Sequence, residues 1–125
     1  MRDINYYLEY VDKFKIIIYN INRTGQMKFK ITKLPQAEKE ISDLSKEQQS
    51  ALQKDFETIK NLGIEYVKRR HLRDDLFEIK TNDVRSLFSY RDNKIILIGL
   101  VYEKRTNKAP EYFIKLAIKR LKENK

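Results

Sequence analysis

Three groups of basic side chains carry most of the chemistry this sequence offers. The first is Lys68-Arg69-Arg70-His71-Leu72-Arg73, where five of six residues are cations or near-cations. As a loop, such a run keeps a domain in solution. As an edge, it contacts phosphates, because Arg and Lys bind phosphate oxygens through charge-assisted hydrogen bonds. The second is Arg85, in the middle of an alternating stretch and on the side opposite Val84, Phe88 and Tyr90. An arginine on such a face needs a fixed anion, either Glu78 across the strand or a phosphate. The third group is Glu103-Lys104-Arg105-Thr106-Asn107-Lys108-Ala109-Pro110, directly after the most apolar stretch of the chain.

Other chemistries are poorly supplied. There is no cysteine, which excludes disulfides, thiolate nucleophiles and zinc–thiolate sites. His71 is the single histidine, so a site needing two imidazoles from one chain is excluded too. Its ordinary pKa of ~6.5 would let it act as a base, although a lone loop histidine also fits without any role. The three glycines are scattered, and none opens a strand-to-helix turn of the phosphate-cradling kind. Asp74-Asp75 is the only acidic doublet. Neighbouring residues at a strand entry point in different directions, which disfavours a metal clamp there.

The whole chain is basic: 27 Lys and Arg against 18 Asp and Glu give a net charge of +9 over 125 residues. Residues 1–62 hold 11 basic and 9 acidic side chains, and residues 63–125 hold 16 and 9. An anionic partner should therefore meet the second half. With 41% hydrophobic residues and only five Gly and Pro, the composition is that of one globular domain. No apolar run approaches the ~20 residues of a membrane helix. The first residues also lack the basic-then-apolar layout of a signal peptide. A cytoplasmic protein is expected.

The elements that would position these groups follow from periodicity. Lys28 to Lys33 alternates as a strand does. Pro35 opens a helix with Ala37, Ile41 and Leu44 as its apolar stripe. Ser45 with Gln48 forms a capping box for a second helix, whose stripe is Leu52, Phe56 and Ile59. Gly63 is the expected left-handed C-cap. Leu76 to Lys80 and Val84 to Arg91 alternate, with turns at Asn82-Asp83 and Asp92-Asn93. Ile95 to Val101 is apolar on both faces and should be the central, doubly covered strand. A last helix follows Pro110, with Ile114, Ala117, Ile118 and Leu121 as its stripe. The reading is β-α-α-β-β-β-α. Further upstream, Phe14, Ile16 and Ile18 suggest a strand and Asn22-Arg23-Thr24-Gly25 a turn. Residues 1–26 are then an N-terminal extension, or Met27 is the start.

The stretch Lys104 to Arg120, with Lys-Arg-Thr-Asn-Lys-Ala-Pro and then Ile114, Ala117 and Arg120, resembles the K-K-T-x-K-T-P-x-x-x-I-x-x-A-x-x-R signature of HigB-like toxins, a phage-derived branch of the RelE/ParE superfamily of type II toxin–antitoxin modules. Leu76-Phe77-Glu78-Ile79-Lys80 is similar to that family's L-W-E-L-R strand, and Val84-Arg85 to its Y-R. The resemblance spans residues 27–125. It departs from RelE proper in having Glu78 where a lysine of a pair would stand, with only Lys80 nearby. Ile98-Gly99-Leu100 replaces the H-G-F of many HigB-like members.

The resemblance implies an α+β, RelE-like fold: a largely antiparallel four-stranded sheet with an N-terminal helix hairpin and a C-terminal helix. It implies a ribosome-dependent mRNA interferase, cleaving RNA through the 2′-OH without a metal or cofactor and held inactive by a cognate antitoxin. In that role Arg85 steadies the phosphate, and Lys104 and Arg105 bind developing charge or the leaving group. Tyr112 is a catalytic tyrosine or a packing aromatic, and Lys80 completes the set. Lys68, Arg69, Arg70, His71, Arg73 and Lys108 would contact RNA or the ribosome. A ParE-like inhibitor of gyrase and a non-catalytic RNA-binding module are the other readings.

Overall fold

The computed structural model describes residues 29–108 and 110–124. The expected strand around Ile16, the turn at 22–25 and the question of a start at Met27 lie outside those residues. Strand β1 (Lys30–Lys33) leads into helix α1 (Pro35–Ser42), where Pro35 sits in the first turn, a position with no N–H to satisfy. Helix α2 (Lys46–Asn61) opens with the expected capping box. Ser45 Oγ accepts from the Gln48 N–H at 3.1 Å, and Gln48 Oε1 accepts from the Ser45 N–H at 2.9 Å. Leu52, Phe56 and Ile59 are the buried face of α2, and Ala37 is that of α1.

Gly63 ends α2 differently from expectation. Its φ of 124° is positive, as expected of a glycine at a helix end, but its ψ of 161° takes it out of the left-handed helical region. A side chain there would be strained, and a Cβ would come within 2.5 Å of Glu65 Oε1. The chain then makes a single helical turn (Ile64–Tyr66) and enters β2 (Lys68–Arg73), β3 (Leu76–Thr81), β4 (Val84–Arg91), β5 (Ile95–Glu103) and helix α3 (Glu111–Glu123). Residues with positive φ mark the hairpin turns: Asp74, Asn82, and the pair Asn93 and Lys94, one residue later than Asp92-Asn93.

Among the described residues the sheet has five strands in the order β1-β5-β4-β3-β2, and it is mixed. This corrects the four-stranded expectation. The extra strand is β2, the Lys68–Arg73 run, which pairs antiparallel with β3 at the sheet edge. The inward-facing half of its backbone groups is satisfied by that ladder while its side chains stay mostly in water, so it needs no apolar alternation. At the other edge, β1 runs parallel to β5.

Strand β5 is covered on both faces, as its sequence requires. Ile96, Ile98 and Val101 join Phe56, Ile59, Ile79 and Phe88 beneath the α1–α2 hairpin. Leu97, Leu100 and Tyr102 join Leu76, Leu87, Ile114 and Leu121 beneath α3. The parity changes at a bulge: Leu87 pairs with Leu100 and Phe88 with Ile98, leaving Gly99 unopposed.

Arginines fasten α3 to the sheet. Arg91 donates to the carbonyls of Leu121 (2.7 Å) and Asn124 (2.8 Å) at the end of α3, where helix carbonyls outnumber the N–H groups that can reach them. Arg120 reaches the Gly99 carbonyl at 3.0 Å and Glu40 Oε2 of α1 at 3.0 Å. Glu40 Oε1 in turn accepts from the Val101 N–H at 2.9 Å, closing β5 beyond the end of β1. Among the described residues, no helix is long and apolar enough to cross a membrane.

Candidate nucleic-acid interface

Cross-strand partners in a sheet project to the same side, about 4.8 Å apart. The register therefore lines up Lys68 of β2, Lys80 of β3, Arg85 of β4 and Tyr102 of β5 as one transverse row. The row lies on the α3 face, because Tyr102 and the neighbouring Leu87 belong to the core beneath α3. The next row on that face is Arg70, Glu78, Leu87 and Leu100. Period-2 alternation in β2 thus puts Lys68 and Arg70 together, and Arg73, opposite Leu76, joins them.

Arg85 lies at the floor of this row, its side chain 8% exposed. Its Nη1 donates to the carbonyls of Asn82 (2.7 Å) and Val84 (3.1 Å) in the β3–β4 turn. Its Nε stands 3.8 Å from Glu78 Oε2, in ion-pair range, but makes no hydrogen bond among the described residues. Both anions that the sequence allowed were thus open choices, and the partner in place is Glu78. That carboxylate is fully buried and also receives Arg70 Nη2 at 3.4 Å.

Tyr102 closes the row. Burial, reinforced by the Glu78 charge, raises its phenol above 10, with Arg85 and Arg70 opposing. Its hydroxyl is buried without a hydrogen-bond partner among the described residues. Its ring lies 4.6 Å from that of Phe113 in the first turn of α3. Tyr112 is the residue before Phe113, with 69% of its surface exposed.

The third basic group leaves the sheet beside this row. The Lys104 N–H donates to the Asp83 carbonyl at 2.7 Å, extending the β4–β5 pairing by one step. Lys104 Nζ donates to the Asn107 carbonyl at 2.9 Å. Arg105 pairs with Glu103 at 3.3 Å and keeps 80% of its side chain exposed. Lys108 is exposed. The connection therefore carries its cations from the sheet end toward Tyr112.

Other expected residues stand apart. Arg69 and His71 pair with Ile79 and Phe77 and so face the hairpin side of the sheet. The His71 ring packs at a tilt against Phe77, centroids 4.8 Å apart, and its Nε2 lies 2.6 Å from the Asp74 carbonyl oxygen. It cannot reach the row, which removes the histidine from consideration as a base there. Arg73 is occupied by Glu111 of α3, both contacts at 2.7 Å. Sequence reasoning missed Tyr102, whose only signal was its position at the far end of the β4–β5 hairpin, opposite Arg85. It also missed a cleft of about 540 Å³ lined by Lys54, Tyr66, Lys68 and Lys80.

A mixed five-stranded sheet, with a helix hairpin on one face and a single helix on the other, is the RelE-like fold. The toxin–antitoxin complex RelBE2 from Mycobacterium tuberculosis is similar with a TM-score of 0.54 and 16% identity, over 62% of this chain and 93% of that one. The archaeal RelE–RelB complex from Pyrococcus horikoshii OT3 gives 0.49 and 18%, over 66% of this chain and 100% of that one. The isolated RelE toxin of E. coli gives 0.48 and 22%, over 74% and 98%. Residues 39–122 match the family Phage derived protein Gp49-like, and the chain belongs to that family. No curated protein sequence matches the chain. The resemblance carried by Lys104 to Arg120 holds at the level of family and fold.

Proposed function

We propose that the protein is the HigB-like toxin of a type II toxin–antitoxin system, a ribosome-dependent endoribonuclease that cleaves mRNA. The observation that carries the reading is the transverse row of Lys68, Lys80 and Arg85 on the α3 face, bordered by Lys104, Arg105 and the exposed Tyr112. Membership of a phage-derived family and a fold like that of a toxin in complex with its antitoxin support it. A cognate antitoxin is the corresponding protein partner.

The chemistry is attack of a ribose 2′-oxygen on the adjacent phosphorus. The 2′-hydroxyl gives up its proton to solvent water as the 2′-O–P bond forms, the P–O5′ bond breaks to leave a 2′,3′-cyclic phosphate, and the 5′-oxygen leaves with a proton. Such a step needs charge stabilisation at the phosphate and proton transfer, and it uses no metal. Lys80, with Lys68, binds the phosphate from the row, and Arg85 adds positive potential from the floor. Arg105 and Lys104 hold the developing charge on the leaving side. Tyr112 moves the proton through its exposed hydroxyl. The remaining cations on this face engage ribosomal RNA.

Expression of the wild-type chain in bacteria should arrest translation, and programmed ribosomes should show A-site mRNA cleavage. Arg105→Ala and Tyr112→Phe, both at exposed positions, should relieve it. Intact mRNA together with inhibited DNA gyrase would replace this reading with the ParE-like one. Intact mRNA, active gyrase and salt-dependent RNA binding would leave a non-catalytic module.

A further inference from the structure

The cleft beside the row shares Lys68 and Lys80 with it and adds residues from α2 and the turn that follows. It lies where α2, the Ile64–Tyr66 turn and the ends of β2 and β3 meet, and it measures about 540 Å³. Its lining brings Lys54 of α2 together with Lys68, Lys80 and the ring of Tyr66. Tyr66 keeps 41% of its surface in water, and its phenol is raised by partial burial and by Glu65, so it stays neutral at physiological pH. Among the described residues the one acid in the lining is Asp55, which accepts the Thr81 hydroxyl at 2.6 Å. Three ammonium groups against one engaged carboxylate favour an anion. An exposed aromatic face beside them is the combination that holds single-stranded nucleotides, with the phosphate on the cations and the base on the ring.

We propose that this cleft is a nucleotide subsite for single-stranded RNA, in which a base stacks on Tyr66 while Lys54 binds its phosphate. Lys68 and Lys80 belong both to the cleft and to the transverse row, so a strand crossing the row continues into it. The inference rests on the nuclease reading for its biological substrate but not for its binding chemistry. The subsite takes a nucleotide flanking the cleaved phosphodiester, and its stacking contact is indifferent to base identity.

The test uses the full chain and a short fluorescein-labelled DNA single strand, which has no 2′-OH and cannot be cut by the proposed route. Fluorescence anisotropy should show Tyr66→Ala binding about tenfold more weakly and Tyr66→Phe binding as wild type. Lys54→Ala should reduce the slope of log affinity against log salt by about 0.7, the share of one phosphate contact to a single strand. Lys39→Ala, a matched loss of charge on α1, should change neither. Absence of binding by the wild type, or wild-type affinity and slope in both Tyr66→Ala and Lys54→Ala, overturns the subsite. Cleavage on programmed ribosomes is measured in parallel. Cleavage that survives these variants together with unchanged oligonucleotide binding sinks the subsite and leaves the nuclease. Tyr66-dependent binding without any cleavage supports the subsite and sinks the nuclease.

Discussion

Arg73 and Glu111 hold each other through two parallel contacts, Nη1 to Oε2 and Nη2 to Oε1, both 2.7 Å. The pair ties edge strand β2 to the first turn of α3, the turn that carries Tyr112. A carboxylate there also suits the positive end of the helix. The hydrogen bonds from Arg73, and then its charge, hold the Glu111 carboxyl below the usual glutamate value. As pH falls, the unfolded chain takes up that proton first. The contribution of the pair is therefore present above the ordinary glutamate pKa and fades as pH drops through the lower folded value. Because both side chains meet water, the consequence is local to the helix end. Carbon-detected NMR titration should find Glu111 titrating below a free surface glutamate. Arg73→Ala should restore the ordinary value and lower amide protection in the first turn of α3. An ordinary midpoint in the wild type would contradict the pair.

Gly99 and Leu121 set how closely α3 approaches the sheet. A Cβ at Gly99 would lie 2.8 Å from Leu121 Cγ and 2.9 Å from its Cδ2. Gly99→Ala should therefore destabilise by about 1–3 kcal/mol, the range for overpacking. Leu121→Ala alone should lose about 2–5 kcal/mol by opening a cavity. In the double variant the new methyl has room, so the two losses should not add, and urea denaturation of the four proteins reads the coupling. Strict additivity would mean that the two residues do not meet.

Much of this packing was legible, for reasons that differ by element. Ser45 and Gln48 marked the start of α2 because a capping box is local chemistry within four residues. Ile95 to Val101 announced a doubly covered strand because both its faces are apolar. Strand β2 was illegible as a strand, since Lys68, Arg70 and Arg73 face the same side as the row yet none of them enters the core. The ladder with β3, not burial, holds it in place. The Gly99 bulge was illegible too, because it depends on the register of β5 against β4, and so was the reach of Arg120 to Gly99 and Glu40, contacts 21 and 80 residues apart. For the candidate site, the residue types were readable and their grouping was not. Alternation alone separates Lys68 and Arg70 from Arg69 and His71, but only once β2 is known to be a strand.

Glu78 and Arg85 make a stability prediction distinct from any activity. Removing one partner of a buried pair leaves the other charge without compensation, a loss of about 3–5 kcal/mol. Arg70 remains 3.4 Å from Glu78 and half-exposed, so Arg85→Ala should fall near the lower end, about 3 kcal/mol. The loss includes the bonds to the Asn82 and Val84 carbonyls. Replacing both partners, Glu78→Leu with Arg85→Met, should recover much of it, since neither charge is then stranded. Urea midpoints measure this directly. A double variant less stable than Arg85→Ala would show that the pair is not the reason for the loss.

Tyr112 and Arg105 offer the clean test of chemistry, because neither is held in the core. Tyr112 is 69% exposed, and among the described residues Arg105 pairs with Glu103 and keeps 80% of its side chain exposed. Substitutions at such positions change stability by less than about 0.5 kcal/mol, so any effect on cleavage reports function. If the Tyr112 hydroxyl transfers the proton to the leaving 5′-oxygen, Tyr112→Phe should slow single-turnover mRNA cleavage by about 10²–10⁴-fold, the usual worth of a positioned acid or base. Arg105→Ala removes charge stabilisation instead. Its deficit should persist across pH, while that of Tyr112→Phe should change the shape of the pH–rate profile. The two variants should retain the wild-type melting temperature and Kd for the uncleavable DNA strand. Loss of cleavage accompanied by loss of binding in Tyr112→Phe would make Tyr112 a docking aromatic, and full activity would remove it from the reaction.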